Sequence, residues 1–453
     1  MREQKMKKTF KSLFFKINSM RNLYIIALFL FQSISTHAQE TLTLEDAVKI
    51  SLENNYDIKI AKNNSNIDKT NNNIGNAGML PLVSLNLTNN NSKVDTKQTQ
   101  IGGTIRELDG AVNNNLNYGV SLDWTIFDGM RMFSRKEQLK VLENQGKSEL
   151  QAAILSKISD VYSTYFDLVQ QQQIIASIDT AIVISNQRLE TAKNRFTIGK
   201  ASKLEVLNAQ VDLNSDISLL LKQKELLKIT KIRMNELLVR DSQTNFKVEQ
   251  EISFEKNLIF EELKSQAEQQ NPQLQAQILS KKIADLNLKQ VKANRYPTVR
   301  LTSGYNFTRS EAPLGFITQS SGQGFVYGFS ASMPIFNGLT QNKNEKVAKY
   351  EQENANLLLE QQKSSLTTQL ASLYASYQTN LELISLEYEN LDIAKQNLDI
   401  TLAKFKIGTI ATIEFRTAQQ NYVEASLRYS NAQYVTKLSE INLKELAGTL
   451  KLN

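Results

Sequence analysis

The sequence predicts a mixed α/β membrane protein, mainly α, in which long antiparallel coiled-coil helices alternate with two pairs of β-strands of membrane-spanning length. Three observations predict it. The 453-residue chain repeats itself at an offset of 209: Tyr118–Gly129 (YGVSLDWTIFDG) returns as Tyr327–Gly338 (YGFSASMPIFNG), and Arg195–Gly199 (RFTIG) returns as Lys404–Gly408 (KFKIG). Ala209-Gln210 returns as Ala418-Gln419 at the same offset. Four segments alternate apolar and polar residues, and two Pro-free runs of about 67 residues carry heptad-spaced apolar positions. An internal repeat is read first because each copy is then one structural unit that must bury its apolar faces against neighbours.

The N-terminus reads as a secretory signal. Lys7, Lys8, Lys11, Lys16 and Arg21 precede the apolar run Leu23–Phe31, and small residues follow up to Ala38. That order is the basic region, apolar region and cleavage site of an export leader, with translation starting at Met1 or Met20. No other apolar run approaches the roughly 20 residues of a spanning helix. Removing the seven basic and one acidic residues of 1–38 from the totals of 53 and 46 leaves 46 and 45. The net basicity therefore belongs mostly to the leader, and no nucleic-acid partner is expected. The single His is His37, inside the leader, and Cys is absent. The usual zinc site, a Ser-His-Asp triad and a Cys nucleophile are thereby excluded from the exported chain. No catalytic residue, metal site or cofactor is expected, and no enzymatic function.

The strands follow from period-two patterning. Leu116, Tyr118, Val120, Leu122, Trp124 and Ile126 alternate with Asn117, Gly119, Ser121, Asp123 and Thr125. Val83, Leu85 and Leu87; Val299, Leu301, Tyr305 and Phe307; and Phe325, Tyr327, Phe329, Ala331, Met333 and Ile335 do the same. One apolar and one wet face over about ten residues, with aromatics near the ends, fits a membrane barrel. Strand pairs are expected at about 82–127 and 298–336, with the polar stretches 89–115 and 309–324 as surface loops.

Helices fill the rest. Val161, Leu168, Ile175, Ile182, Leu189 and Phe196 are spaced by seven, as are Leu370, Tyr377, Ile384, Leu391, Leu398 and Phe405. A strict heptad implies a left-handed supercoil, and each run would reach roughly 100 Å at 1.5 Å per residue. Gly199 and Gly408 stop these helices, and return helices follow at about 200–238 and 409–447. Shorter helices at about 43–80 and 260–295, broken near Asn55 and Asn271, precede the strand pairs. The domains expected are a leader (1–38), a first repeat (39–240), an irregular linker (241–258) and a second repeat (259–453).

Four strands cannot close a spanning barrel, for which eight is about the minimum, and an open edge cannot face lipid. Three chains pooling twelve strands resolve this, with all helices on one side. Two-pair spacing also separates this plan from a trimeric adhesin, the alternative structural reading, which pools four strands from one C-terminal block.

The repeat, the Phe-Asp/Asn-Gly junctions, the Arg/Lys-Phe-x-Ile-Gly turns and the opening Leu44–Val48 with Asn54-Asn55 resemble the TolC family of outer-membrane efflux proteins, over about residues 40–450. The resemblance implies a homotrimer with a twelve-stranded barrel among outer-membrane lipid and a periplasmic α-barrel. It implies a passive exit duct for a tripartite efflux pump or type I secretion system, docked to a periplasmic adaptor and, through it, an inner-membrane transporter. It places acidic rings at the tip, on Glu205 and Glu414, six residues after each turn Gly. From the residues alone, the same two acids read as favourable first-turn charges of a helix. The family's second acid is Thr417 here and its gate-locking Arg is Ile410; Asn208 stands opposite Thr417 in the first repeat. Arg195, Phe196, Gly199, Lys404, Phe405 and Gly408 match the tip motif that contacts the adaptor.

Overall fold

The computed structural model describes residues 40–314 and 317–450; the expected leader lies outside the described residues. In chain order the elements are β1 (Glu40–Leu42), α1 (Leu44–Asn54), α2 (Tyr56–Asn71), β2 (Leu82–Thr99), β3 (Ile105–Asp128), α3 (Arg131–Thr197) and α4 (Lys203–Leu237), then β4 (Phe246–Val248), α5 (Phe260–Gln270), α6 (Pro272–Ala293), β5 (Thr298–Glu311), β6 (Gln319–Ser332), α7 (Thr340–Ile407) and α8 (Thr412–Ala447). Each repeat is thus two short helices, a strand hairpin and a helical hairpin.

Asn55 and Asn271 end one short helix and begin the next for a shared reason. Each side-chain oxygen accepts from a backbone N–H of the following first turn (Asp57 at 2.9 Å; Leu274 at 2.8 Å), which satisfies a helix-start donor. Each side-chain amide donates to the end of a long return helix, Leu237 O at 3.2 Å and Leu446 O at 3.0 Å. Those two carbonyls are themselves 209 residues apart.

The main core lies halfway along α3. Val161, Leu168 and Val169 pack there on Ala47, Val48, Met234, Leu238 and Phe246. Burying each large side chain contributes roughly 1.5–3 kcal/mol. Tyr165, in the same core, donates to Leu42 O at 3.1 Å and accepts from Glu249 N at 3.2 Å. Its repeat equivalent, Tyr374, donates to Leu258 O at 3.0 Å. Next to it Tyr377 donates to Glu255 O, and burial pushes its phenol up to about 12. The expected irregular linker therefore contains a strand. β4 pairs in parallel with β1, Glu40 opposite Phe246 through Leu42 opposite Val248.

The four long strands form one antiparallel sheet in the order β2-β3-β5-β6. Register puts Leu85, Val120, Tyr305 and Phe325 in one cross-strand row, and Leu87, Tyr118 and Phe307 in the next. Tyr118 stacks on Phe307 at 4.9 Å. This apolar face is exposed in the single chain (Leu85 81%, Phe329 79%), as a lipid-facing surface must be. The opposite face carries Asn86, Gly119 and Asn306 in one row and Ser84, Ser121 and Gly304 in another.

Three expectations need correction. The stretches 89–115 and 309–324 are mostly strand, not loop: β2 and β3 pair out to Thr99–Ile105, and β5 and β6 to Glu311–Gln319. Backbone ladders do not need apolar side chains, and beyond the lipid both faces are wet, so the alternation vanishes while the strand continues. β6 ends at Ser332 rather than near 336; Pro334 has no N–H to donate to a ladder. The first short-helix pair ends at Asn71, and residues 72–81 form turns before β2.

Candidate functional site

The two helical turns opposite the sheet come together at one tip. α3 stops at Gly199 (φ 74°), where Lys200 N donates to Arg195 O at 2.8 Å and Gly199 N to Phe196 O at 3.0 Å. α7 stops at Gly408 (φ 80°), with Thr409 N on Lys404 O and Gly408 N on Phe405 O, both at 3.0 Å. A left-handed residue after the last turn satisfies the orphan carbonyls, and Gly adopts it without strain.

Arg195 joins the turns. It forms an ion pair with Glu205 at 3.7 Å and lies 6.0 Å from the centroid of the Phe405 ring. Its guanidinium also passes so close to Gly408 that a Cβ there would sit 3.3 Å from Nη2. Glu205 is half-buried in the first turn of α4, where Ser202 caps the helix by accepting from Glu205 N at 3.3 Å. Glu414 occupies the same place in α8 but is exposed, and the residue before that helix, Ala411, offers no side-chain cap. Thr417 and Asn208 are exposed, and the Thr417 hydroxyl donates back to Ile413 O at 3.0 Å. Lys404 and Phe196 are exposed as well.

Phe405 behaves differently from Phe196. It is 1% exposed and stacks on Phe415 at 5.1 Å, with Leu398, Leu402, Ile410 and Tyr422 around them. Phe405 therefore shapes the tip from inside rather than offering a surface, and Ile410 joins that apolar cluster.

Just above the tip lies a partly buried polar cluster that motif reading missed. Arg416 of α8 grips Asp216 of α4 with both terminal nitrogens at 2.9 Å, a two-pronged geometry that arginine favours. Its Nε is 3.5 Å from Asp212 Oδ1. Arg188 of α3, 2% exposed, donates to Asp212 at 2.5 Å. Ser185 donates to Asp216 at 2.5 Å, while Gln419 donates to Ser185 Oγ at 2.7 Å and to Ala181 O at 2.8 Å. The one sequence signal was that Arg416 stands where the first repeat has Leu207.

A family model described as "Outer membrane efflux protein" matches residues 47–238 and 263–449, most of the chain and both repeats. The chain belongs to that family. This efflux protein is 23% identical over 315 residues to the outer membrane protein TolC of Vibrio cholerae, covering 68% of this chain and 70% of the relative. To TolC of Escherichia coli K12 it is 22% identical over 365 residues, covering 76% and 72%. Among solved structures it resembles the Campylobacter jejuni CmeC outer membrane channel (TM-score 0.77, 17% identity, 90% and 85% covered). It also resembles the OprN outer-membrane channel (TM-score 0.76, 16% identity, 90% of each chain). The family and the fold agree with an outer-membrane efflux channel and leave the adhesin reading without support.

Proposed function

We infer that this efflux protein works as a homotrimer, forming a continuous passive duct from periplasm to exterior. The observation that carries this is the open sheet. β2 and β6 lie at its edges with an apolar outer face, and an unpaired edge in hydrocarbon costs several kcal/mol per polar group. Pairing β6 of one chain with β2 of the next closes a twelve-stranded barrel. The helices carry matching unfinished faces. Leu207, Val211 and Leu221 on α4, and Leu386, Ile393 and Ile400 on α7, are all exposed in the single chain. The expected two-repeat division into 39–240 and 259–453, with the linker between, makes such a tube six-fold-like.

The duct serves an energy-supplying transporter of the inner membrane through a periplasmic adaptor. The exposed tip residues Phe196, Gly199, Lys404 and Gly408, with the half-buried Arg195 between the turns, form the adaptor contact, and three copies each of Glu205 and Glu414 line the constriction. Purified protein in detergent should have the mass of a trimer by light scattering and should conduct in a planar bilayer. A folded trimer without conductance would sink the reading, and so would a stable monomer.

A further inference from the structure

The two halves of the chain are tied together far more firmly at one joint than the repeat requires, and that asymmetry has a mechanical consequence. Inside one chain the first helical hairpin meets the second where α3 packs on α8: Ser177 and Ser426 hydroxyls lie 2.5 Å apart, and Gln170 donates to Asn431 at 3.2 Å. By the 209-residue repeat, the corresponding meeting between chains brings α7 of one copy against α4 of the next. The inside joint holds Arg188, Ser185, Asp212, Asp216, Arg416 and Gln419. Moving each by 209 gives the joint between chains: Asn397, Ala394, Asn421, Ala425, Leu207 and Gln210. Both arginines and both aspartates are gone from it.

We propose that the Arg188–Asp212–Arg416–Asp216 cluster welds α8 to α3 and α4, so that this efflux protein opens at the seams between chains and not at the joint within each chain. The inference rests on the trimeric channel reading. The charges balance, two of each sign; both arginines are buried, while the side chains of Asp216 and Asp212 stay 13% and 27% exposed. Pulling α8 away would take the nearly buried Arg416 from both aspartates and leave largely shielded charges unpaired, which is the costly way to break such a pair. The seam between chains holds only neutral side chains at the matching positions and separates without stranding charge. The weld sits within the first two turns of α8, next to the tip turns, where any separation must start. It also supplies a closure element in a tip whose Ile410 packs into an apolar cluster.

The chain has no Cys, so disulfides can be placed at will. Ser177→Cys with Ser426→Cys bridges the inside joint; the repeat equivalents, Ile217→Cys with Leu386→Cys, bridge the seam. The proposal expects the first disulfide to leave channel opening in planar bilayers unchanged. The second should link chains into a covalent trimer on a denaturing gel and abolish opening, with recovery on reduction. Converting the joint to the seam's own residues by Arg416→Leu with Asp216→Ala should raise conductance severalfold in protein that remains trimeric. In that background the Ser177–Ser426 disulfide should return conductance to the parental level. Blockade of the parental channel by the inside disulfide, or an unchanged conductance in the Leu/Ala variant, overturns the weld. Loss of conductance in the parental trimer, by contrast, overturns the channel reading itself.

Discussion

Glu205 and Glu414 occupy the same helical position yet meet different surroundings. Glu205 is half-shielded and paired with Arg195, whereas Glu414 is open to solvent. In the proposed trimeric constriction, three copies of each would focus negative potential. Glu205→Ala with Glu414→Ala should therefore reduce cation-over-anion preference, read as the reversal potential under a salt gradient, with Glu414 giving the larger share because it is the more exposed of the two. An unshifted reversal potential would remove the acidic ring. At the mid-helix core, burial pushes the Asp167 carboxyl up, against the hydrogen bond from Gln171 and the nearby Arg233 that pull it down. A folded-state value raised above the ordinary one means the folded chain holds its proton longer than the unfolded one. Stability from this group is then present in acid and lost as pH rises through the raised value. Asp167→Asn keeps an acceptor for Gln171, so it should raise the melting temperature at neutral pH, with the gain fading as pH falls into the ordinary carboxylate range. A gain equal at both ends would contradict this.

Phe196 and Phe405 are repeat equivalents with opposite roles. Phe405→Ala removes one ring of a buried stack and should cost about 3–5 kcal/mol of local stability, seen as faster amide exchange across 398–415. Phe196→Ala, at an exposed position, should change stability by no more than about 0.5 kcal/mol and show its effect in adaptor binding. The strand-to-helix junctions are built alike in the two repeats. Gly129 and Met130 are both left-handed (φ 71° and 70°), as are Gly338 and Leu339 (65° and 63°). At Gly129 a Cβ would meet Ala293 O at 2.4 Å, while at Gly338 nothing stands within 4 Å. Gly129→Ala should accordingly destabilise more than Gly338→Ala in thermal unfolding, although both share the backbone penalty. Equal losses would show that the positive φ alone matters. The heptad seam of α3 was legible because its residues are apolar at a fixed period. A second stripe, Ile174, Ile178, Ala181, Ser185, Arg188 and Ala192, is also buried and runs toward α8. It was not legible, since Ala, Ser and Arg carry no hydrophobic period.

For the whole molecule, the single chain is an incomplete object, with a sheet that has two edges and helices that have uncovered faces. Leu221 on α4 is 63% exposed, whereas its repeat equivalent Ser430 on α8 is buried inside the chain. Leu221→Asp should leave the chain folded but prevent trimer formation, as measured by light scattering in detergent; a normal trimer would place the seam elsewhere. The sequence by itself determined the repeat, the strand and helix types, the Gly-terminated turns and the need for partner chains. All of these are written in local periodicity and in the rule that backbone polar groups must be satisfied in lipid. Tertiary structure alone decided how far the strands continue past the membrane, which of two equivalent phenylalanines is core, and that Arg416 closes on Asp216 from 200 residues away. Ladder bonds and ion pairs depend on which atoms come within a few ångströms of each other, and polar residues at irregular spacing leave no periodic trace of that in the chain.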